Sequence, residues 1–313
     1  MRSFPYDKGL QEVGAGVYAY LQPDGSWGWS NAGLIAGGET TMLVDTLFDL
    51  RLTQEMLDDM RRAVPAAASI DTLVNTHGDP DHTFGNQLAG GAEIVASARA
   101  AEEMLGGESP EALRGIMAAA PQMGPAGEYL MRAFGAFDFE GITLVAPTRT
   151  FDGELELAVG DVVVRLIEVG PAHTRGDTLV HLPRERVLFA GDILFIGGHP
   201  VIWDGSVDGW IRACERILDM DVDVIVPGHG PITDKAGVRE LRDYLAYVGA
   251  EAEDAYRAGV PVREAAARID LAAYAGWGNP ERVVMVVDAV HRRLAGDESG
   301  PDQLALIAAM GGR

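Results

Sequence analysis

The stretch Thr76-His77-Gly78-Asp79-Pro80-Asp81-His82 decides how this chain is read. It follows an apolar segment, Ile70 to Val74, and sets four potential metal ligands within six residues. In an extended chain, residues two apart share a side, so His77 and Asp79 are expected to face one cation while Asp81 and His82 turn toward a second. Two neighbouring cations can share a hydroxide, the nucleophile that hydrolysis at neutral pH requires.

Three later segments offer partners: Gly170-Pro171-Ala172-His173-Thr174, Phe189-Ala190-Gly191-Asp192 and Val226-Pro227-Gly228-His229-Gly230. Each places a His or Asp shortly after a β-branched or aliphatic run, Val162 to Val169, Val187 to Ala190 and Val222 to Val226. Strand ends and the loops beyond them are where α/β folds gather their chemistry. Of the seven histidines in the chain, His77, His82, His173 and His229 fall in these segments.

In order and spacing, the segments resemble the metallo-β-lactamase-fold hydrolase superfamily, whose signature is His-x-His-x-Asp-His followed by a His, an Asp and a last His. The resemblance runs from about Val17 to Pro231. It implies an α/β fold, the four-layer αββα sandwich, with two divalent metal ions. Carried over by motif, His77, Asp79 and His173 would hold one metal, Asp81, His82 and His229 the other, and Asp192 would bridge them. Asp79 departs from the pattern, standing where most members have a second His. A carboxylate is harder than imidazole and shifts that site toward manganese or iron without excluding zinc, the metal expected first. Di-iron branches of the superfamily use Glu at this position, so a di-iron oxygenase is the competing reading.

The runs Gly25-Ser26-Trp27-Gly28-Trp29-Ser30-Asn31-Ala32-Gly33 and Asp81-His82-Thr83-Phe84-Gly85-Asn86-Gln87-Leu88 are similar to a branch that includes aromatic-polyketide cyclases with thioesterase activity. This implies hydrolysis of an ester, thioester or lactone of a bulky apolar or aromatic acyl compound. Asp81 is a candidate to pass a proton to the leaving group. His199, in the Gly-rich run Phe195 to Pro200, is a candidate substrate contact or proton donor, a plain loop residue being the alternative. Asp45 and Asp177 are candidates to accept the second ring N–H of a ligand histidine, against a capping or turn role. His181 and His291 are read as structural. Trp27, Trp29, Trp203 and Trp210 are either a rim over the site or core.

The formal charge is −22, from 25 Lys and Arg against 47 Asp and Glu, with only two lysines, Lys8 and Lys235. That balance argues against a nucleic-acid partner. No apolar run approaches the roughly 20 residues that span a bilayer, and Met1 to Leu10 show no secretory pattern, so a cytoplasmic protein acting on a small molecule is expected. A homo-oligomer is left open. Cys214 stands alone among apolar neighbours and is read as a buried residue rather than a nucleophile.

Strand patterns are read over Val13 to Leu21, Ala32 to Val44 and Ala92 to Ser97, and a helix over Leu52 to Val64. Residues 98–140 are expected as a helical insert rich in Met and Phe, either ordinary core or a lid over an apolar pocket, with strands resuming from Ile142. The catalytic domain is assigned to 1–235, and 236–313 to C-terminal helices packed on the same domain. Within the latter, the tail after Gly296 is expected to be partly disordered.

Overall fold

The computed structural model describes residues 4–312. Its first sheet holds, in spatial order, β1 (Gly9–Gly14), β2 (Val17–Leu21), β3 (Ala32–Gly37), β4 (Thr40–Val44), β5 (Thr72–Val74), β6 (Glu93–Ser97) and β7 (Arg149–Phe151). β1 to β4 form an antiparallel meander, and β4 to β7 run parallel. The second sheet pairs β8 (Glu154–Val159), β9 (Val162–Glu168), β10 (Thr178–Leu182), β11 (Val187–Phe195) and β12 (Val224–His229) in that order, antiparallel except for β11 with β12.

Alternation along the strands builds three cores from two sheets. Ile35, Met42, Val44, Val74 and Val95 point inward to meet Val164, Val180, Phe189 and Val226 of the opposite sheet. Their sequence neighbours Leu34, Leu43, Leu73 and Ile94 point outward. There they meet α1 (Leu50–Ala63), which Asp49 caps by accepting from the Leu52 amide at 2.6 Å and which buries Leu52, Met56, Leu57 and Met60. Between the sheets, Gly33 permits the close approach, since a Cβ there would lie 2.2 Å from the Phe189 ring.

On the far side of the second sheet, Leu179, Leu188 and Ile225 pack against α6 (Val207–Asp219), α7 (Lys235–Arg257), α8 (Val262–Arg268) and α9 (Val283–Ala295). In α6, Trp210, Ala213, Cys214 and Ile217 form one buried stripe at helical spacing. Burial pushes the Cys214 thiol up to about 12, which removes it as a nucleophile. The order helix, sheet, sheet, helix is the four-layer arrangement.

Two stretches differ from expectation. Helix formation in the insert covers α3 (Ala98–Gly106), α4 (Pro110–Ala119) and α5 (Pro125–Phe134), but 135–148 is irregular and the next strand begins only at Arg149. Phe137 and Phe139 dock individually on Phe48, with centroids 4.8 and 4.9 Å away, instead of forming one face of a helix. The tail, expected to be partly disordered, forms α10 (Gln303–Gly311), capped by Asp302 and burying Leu306 and Met310. Among the described residues no helix is long and apolar enough to cross a membrane.

Candidate metal centre

β5 ends at Val74, and the His-Gly-Asp-Pro-Asp-His run leaves the sheet instead of continuing as a strand. Pro80 opens the short helix α2 (Pro80–Thr83), where its fixed φ suits the first helical position. Asp79 occupies the cap position without capping through its side chain. Its Oδ2 lies instead 3.1 Å from Nε2 of His173, in the loop between β9 and β10, and 3.8 Å from Nε2 of His77.

Seven side chains converge at this edge of the two sheets. His77, Asp79 and His173 form one group whose ligand atoms lie within 4.8 Å of one another, Asp81, His82 and His229 a second, and His77, His82 and Asp192 a third that links them. Asp192, on β11, reaches His82 Nε2 at 3.1 Å through Oδ1, and His229 at 3.3 Å and His173 at 3.6 Å through Oδ2. Asp81 Oδ2 lies 3.3 Å from His229 Nε2. Gly228, just before His229, allows this approach: a Cβ there would sit 1.9 Å from Asp192 Oδ1.

All four imidazoles turn Nε2 inward, and in three of them the other nitrogen is occupied. Nδ1 of His82 meets Asp45 Oδ2 at 3.0 Å, Nδ1 of His173 donates to the Val201 carbonyl at 2.7 Å, and Nδ1 of His77 meets Thr76 Oγ1 at 3.0 Å. The His229 ring stacks on Phe195, 4.9 Å away and 2° from parallel. Asp45 also accepts from the Thr76 amide and hydroxyl, each at 2.7 Å, so one carboxylate fixes both His82 and, through Thr76, His77. Asp177 instead closes a turn, accepting from the Thr174 amide and hydroxyl at 2.9 and 2.8 Å, and burial raises its carboxyl to about 7.

The donor set fits a pair of divalent cations. His77 Nε2 is buried without a hydrogen-bond partner among the described residues, His82 Nε2 and Asp192 Oδ1 face each other alone, and mixed imidazole and carboxylate donors suit zinc, manganese or iron. Burial, then the neighbouring charge of His82, lowers His77 to about 4, leaving it neutral. His173 rises to about 10, because its bond to Asp79 and the charges of Asp192 and Asp79 outweigh the opposing effect of burial. A cation would displace that proton, so loading the site is expected to release protons.

A cleft of about 290 Å³ opens over the cluster. Asp79, Asp81, His173, Asp192 and His229 form its polar floor, and Trp27, Phe48, Phe84, Met104, Met117, Leu130, Phe134 and Trp203 line apolar walls. Trp27 and Trp203 thus border the cleft, whereas Trp29 packs on Phe137 and Trp210 is core, edge-on to His173. His181 lies within β10, and His291 Nε2 meets the Ala252 carbonyl at 3.1 Å.

His199, a candidate substrate contact or proton donor with a plain loop residue as the alternative, packs against Tyr244 of α7. His199 is fully buried, outside the residues that line the cleft, and its Nδ1 meets the Tyr244 hydroxyl at 2.9 Å. Burial and the nearby Arg282 charge lower it to about 4, so its ring is neutral near pH 7. Arg282, unnoticed in the sequence, does line the cleft, and no local motif marks it.

The family model described as the Metallo-beta-lactamase superfamily matches residues 25–229, and the chain belongs to that superfamily. The 2,4-dinitroanisole O-demethylase subunit alpha of Nocardioides sp. (strain JS1661) is 34% identical over 117 residues, 37% of this chain and 36% of that protein. The match thus spans about a third of that relative's length. The acyl-coenzyme A thioesterase MBLAC2 of Homo sapiens is 25% identical over 220 residues, 64% of this chain and 72% of that one. Among solved structures, the sec-alkylsulfatase Pisa1 from Pseudomonas sp. is 20% identical with a TM-score of 0.69, covering 93% of this chain and 51% of that one. A metallo-beta-lactamase from Pontibacter korlensis is 19% identical with a TM-score of 0.57, covering 77% and 99%. The last two speak for the fold.

Proposed function

We propose that this protein is a hydrolase dependent on two divalent metal ions, zinc first, and that it cleaves an ester or thioester of a bulky apolar acyl compound. The observation that carries the reading is the convergence of seven metal-type ligands beneath an apolar cleft. A relative named as an acyl-coenzyme A thioesterase supports it.

Bound divalent ions would supply Lewis acidity and lower the pKa of water toward about 7. His77, Asp79 and His173 would hold one ion, Asp81, His82 and His229 the other, with Asp192 shared. Asp45 keeps the His82 ring turned so that Nε2 stays a lone-pair donor. The walls formed by Phe48, Phe84, Met117 and Phe134 would hold the acyl group and exclude bulk water. Asp81, at the floor with Oδ2 toward His229, would, where an oxygen is left free of the metal, take the proton given up by the attacking water and pass it to the departing alkoxide or thiolate.

Elemental analysis of the purified protein and turnover of aryl and acyl thioesters test the proposal together. About two zinc or manganese ions per chain are expected, with turnover abolished in His77→Ala and Asp192→Ala while circular dichroism stays native. Undiminished turnover in both variants would refute it. The carboxylate at Asp79 motivates the oxygenase alternative, which two irons per chain with substrate-dependent oxygen consumption would favour.

A further inference from the structure

Arg282 lies beyond the stretch that the family model matches, at the end of the turn Pro280–Arg282 that leads into α9. It is 1% exposed, yet it lines the cleft beside Asp81, Asp192 and His229. Only part of its guanidinium is engaged. Nη1 donates to the His199 carbonyl at 3.1 Å, and the guanidinium carbon sits 4.4 Å from the centroid of the Trp27 ring, an attractive cation–π placement. Trp27 is itself fixed through Nε1, which donates to the Tyr129 hydroxyl at 2.7 Å.

Nε and Nη2 of Arg282 have no partner among the described residues. These two N–H groups share one edge of the planar guanidinium and point the same way, the fork that matches both oxygens of one carboxylate. Nearby acids have other partners: Glu281 accepts from Tyr129, while Asp81 and Asp192 face the histidines. A buried guanidinium held on one face and one nitrogen, in a residue that lines a cavity and with two N–H groups unpaired, has the form of a binding group rather than a structural ion pair.

We propose that Arg282 recognises a carboxylate carried by the substrate, with Nε and Nη2 each donating to one of its oxygens at the wall of the cleft. The substrate is then an amphiphile, its apolar body against the wall that Phe48 and Phe134 form and its anionic group on Arg282. At the metal floor, three ligand aspartates offset only three of the four positive charges of two divalent ions, so Arg282 is not needed to balance them and stays available to an anion, although Glu102, Glu103, Glu108 and Asp204 also line the cleft. The identity of the compound as an ester or thioester rests on the hydrolase reading; the binding itself does not.

The test is calorimetric titration of zinc-loaded protein with 4-phenylbutyrate and with its neutral amide, in wild type, Arg282→Gln and Arg282→Lys. The wild type is expected to favour the carboxylate by roughly tenfold or more, as charge-assisted bonds allow, and Arg282→Gln to bind the two alike. Quenching or enhancement of Trp27 fluorescence by the carboxylate, lost in Arg282→Gln, would accompany it. Equal binding in wild type would overturn the proposal. So would a preference that survives in folded Arg282→Gln, since the anion would then sit on the metals. Should Arg282→Gln fail to fold, Arg282→Lys decides: it keeps the charge without the fork, and a severalfold smaller preference is expected, whereas an unchanged one overturns bidentate recognition. Binding is read without turnover, so a failed hydrolysis assay and a failed Arg282 test remain separate results.

Discussion

Asp45 and Gly228 carry consequences out of proportion to their size. Asp45 sits at the end of β4 with φ of 60°, a left-handed conformation that Asp and Asn tolerate better than other side chains. Asp45→Asn should therefore keep the backbone. It replaces one acceptor oxygen with an NH2 that cannot accept, so either the Thr76 amide at Oδ1 or the Thr76 hydroxyl and His82 Nδ1 at Oδ2 lose their acceptor. Metal affinity is expected to fall by about 10- to 100-fold with little change in melting temperature, as competition with a chromogenic chelator would measure. Gly228→Ala drives a methyl into Asp192 Oδ1 and the Gly191 backbone, which a rigid strand pair cannot accommodate. A loss of about 1–3 kcal/mol of stability, with fewer than two bound metals by elemental analysis, is expected. The histidines were legible in the sequence because ligands cluster locally where apolar runs end. Arg282 was not, since a lone Arg before a helix reads as a surface cation, and only tertiary packing against Trp27 buries it.

At the scale of elements, the insert and the C-terminal tail act as one unit. α10 packs on α5, whose Leu130 and Phe134 line the cleft, and Ile307 of α10 lines it too. The Tyr129 hydroxyl of α5 reaches Met310 Sδ at 3.4 Å as well as Glu281. Leu306 of α10 is buried in the core shared with the C-terminal helices, so Leu306→Ala should lower unfolding stability by about 2 kcal/mol or more. Because the perturbed wall touches substrate rather than the ligands, KM should rise while kcat and metal content hold, which steady-state kinetics on a thioester would separate. A drop in kcat with bound metal lost would show instead that α10 braces the metal floor. Periodicity revealed the strands and α1, but the short apolar run Leu304 to Met310 gave no sign of its partner, since its burial depends on α5. The stretch 135–148 misled for the opposite reason, its Phe residues each filling a separate niche around Phe48.

For the molecule as a whole, a formal charge of −22 surrounds a cleft whose wall carries an unpaired buried guanidinium. The two fields act over different ranges. Acidic side chains on the surface repel an approaching anion at long distance, and salt screens that repulsion, the Debye length shrinking from about 30 Å at 0.01 M to about 8 Å at 0.15 M. Arg282 acts only within the desolvated cleft, where screening is weak. For a carboxylate-bearing thioester, kcat/KM should therefore rise as sodium chloride is raised across that range, while its neutral amide counterpart stays nearly level. In Arg282→Gln the carboxylate substrate should turn over more slowly at every salt concentration yet keep the same upward slope, because the slope belongs to the surface and the offset to the cleft. A slope that vanishes with Arg282 would place the two effects in one site and contradict this division.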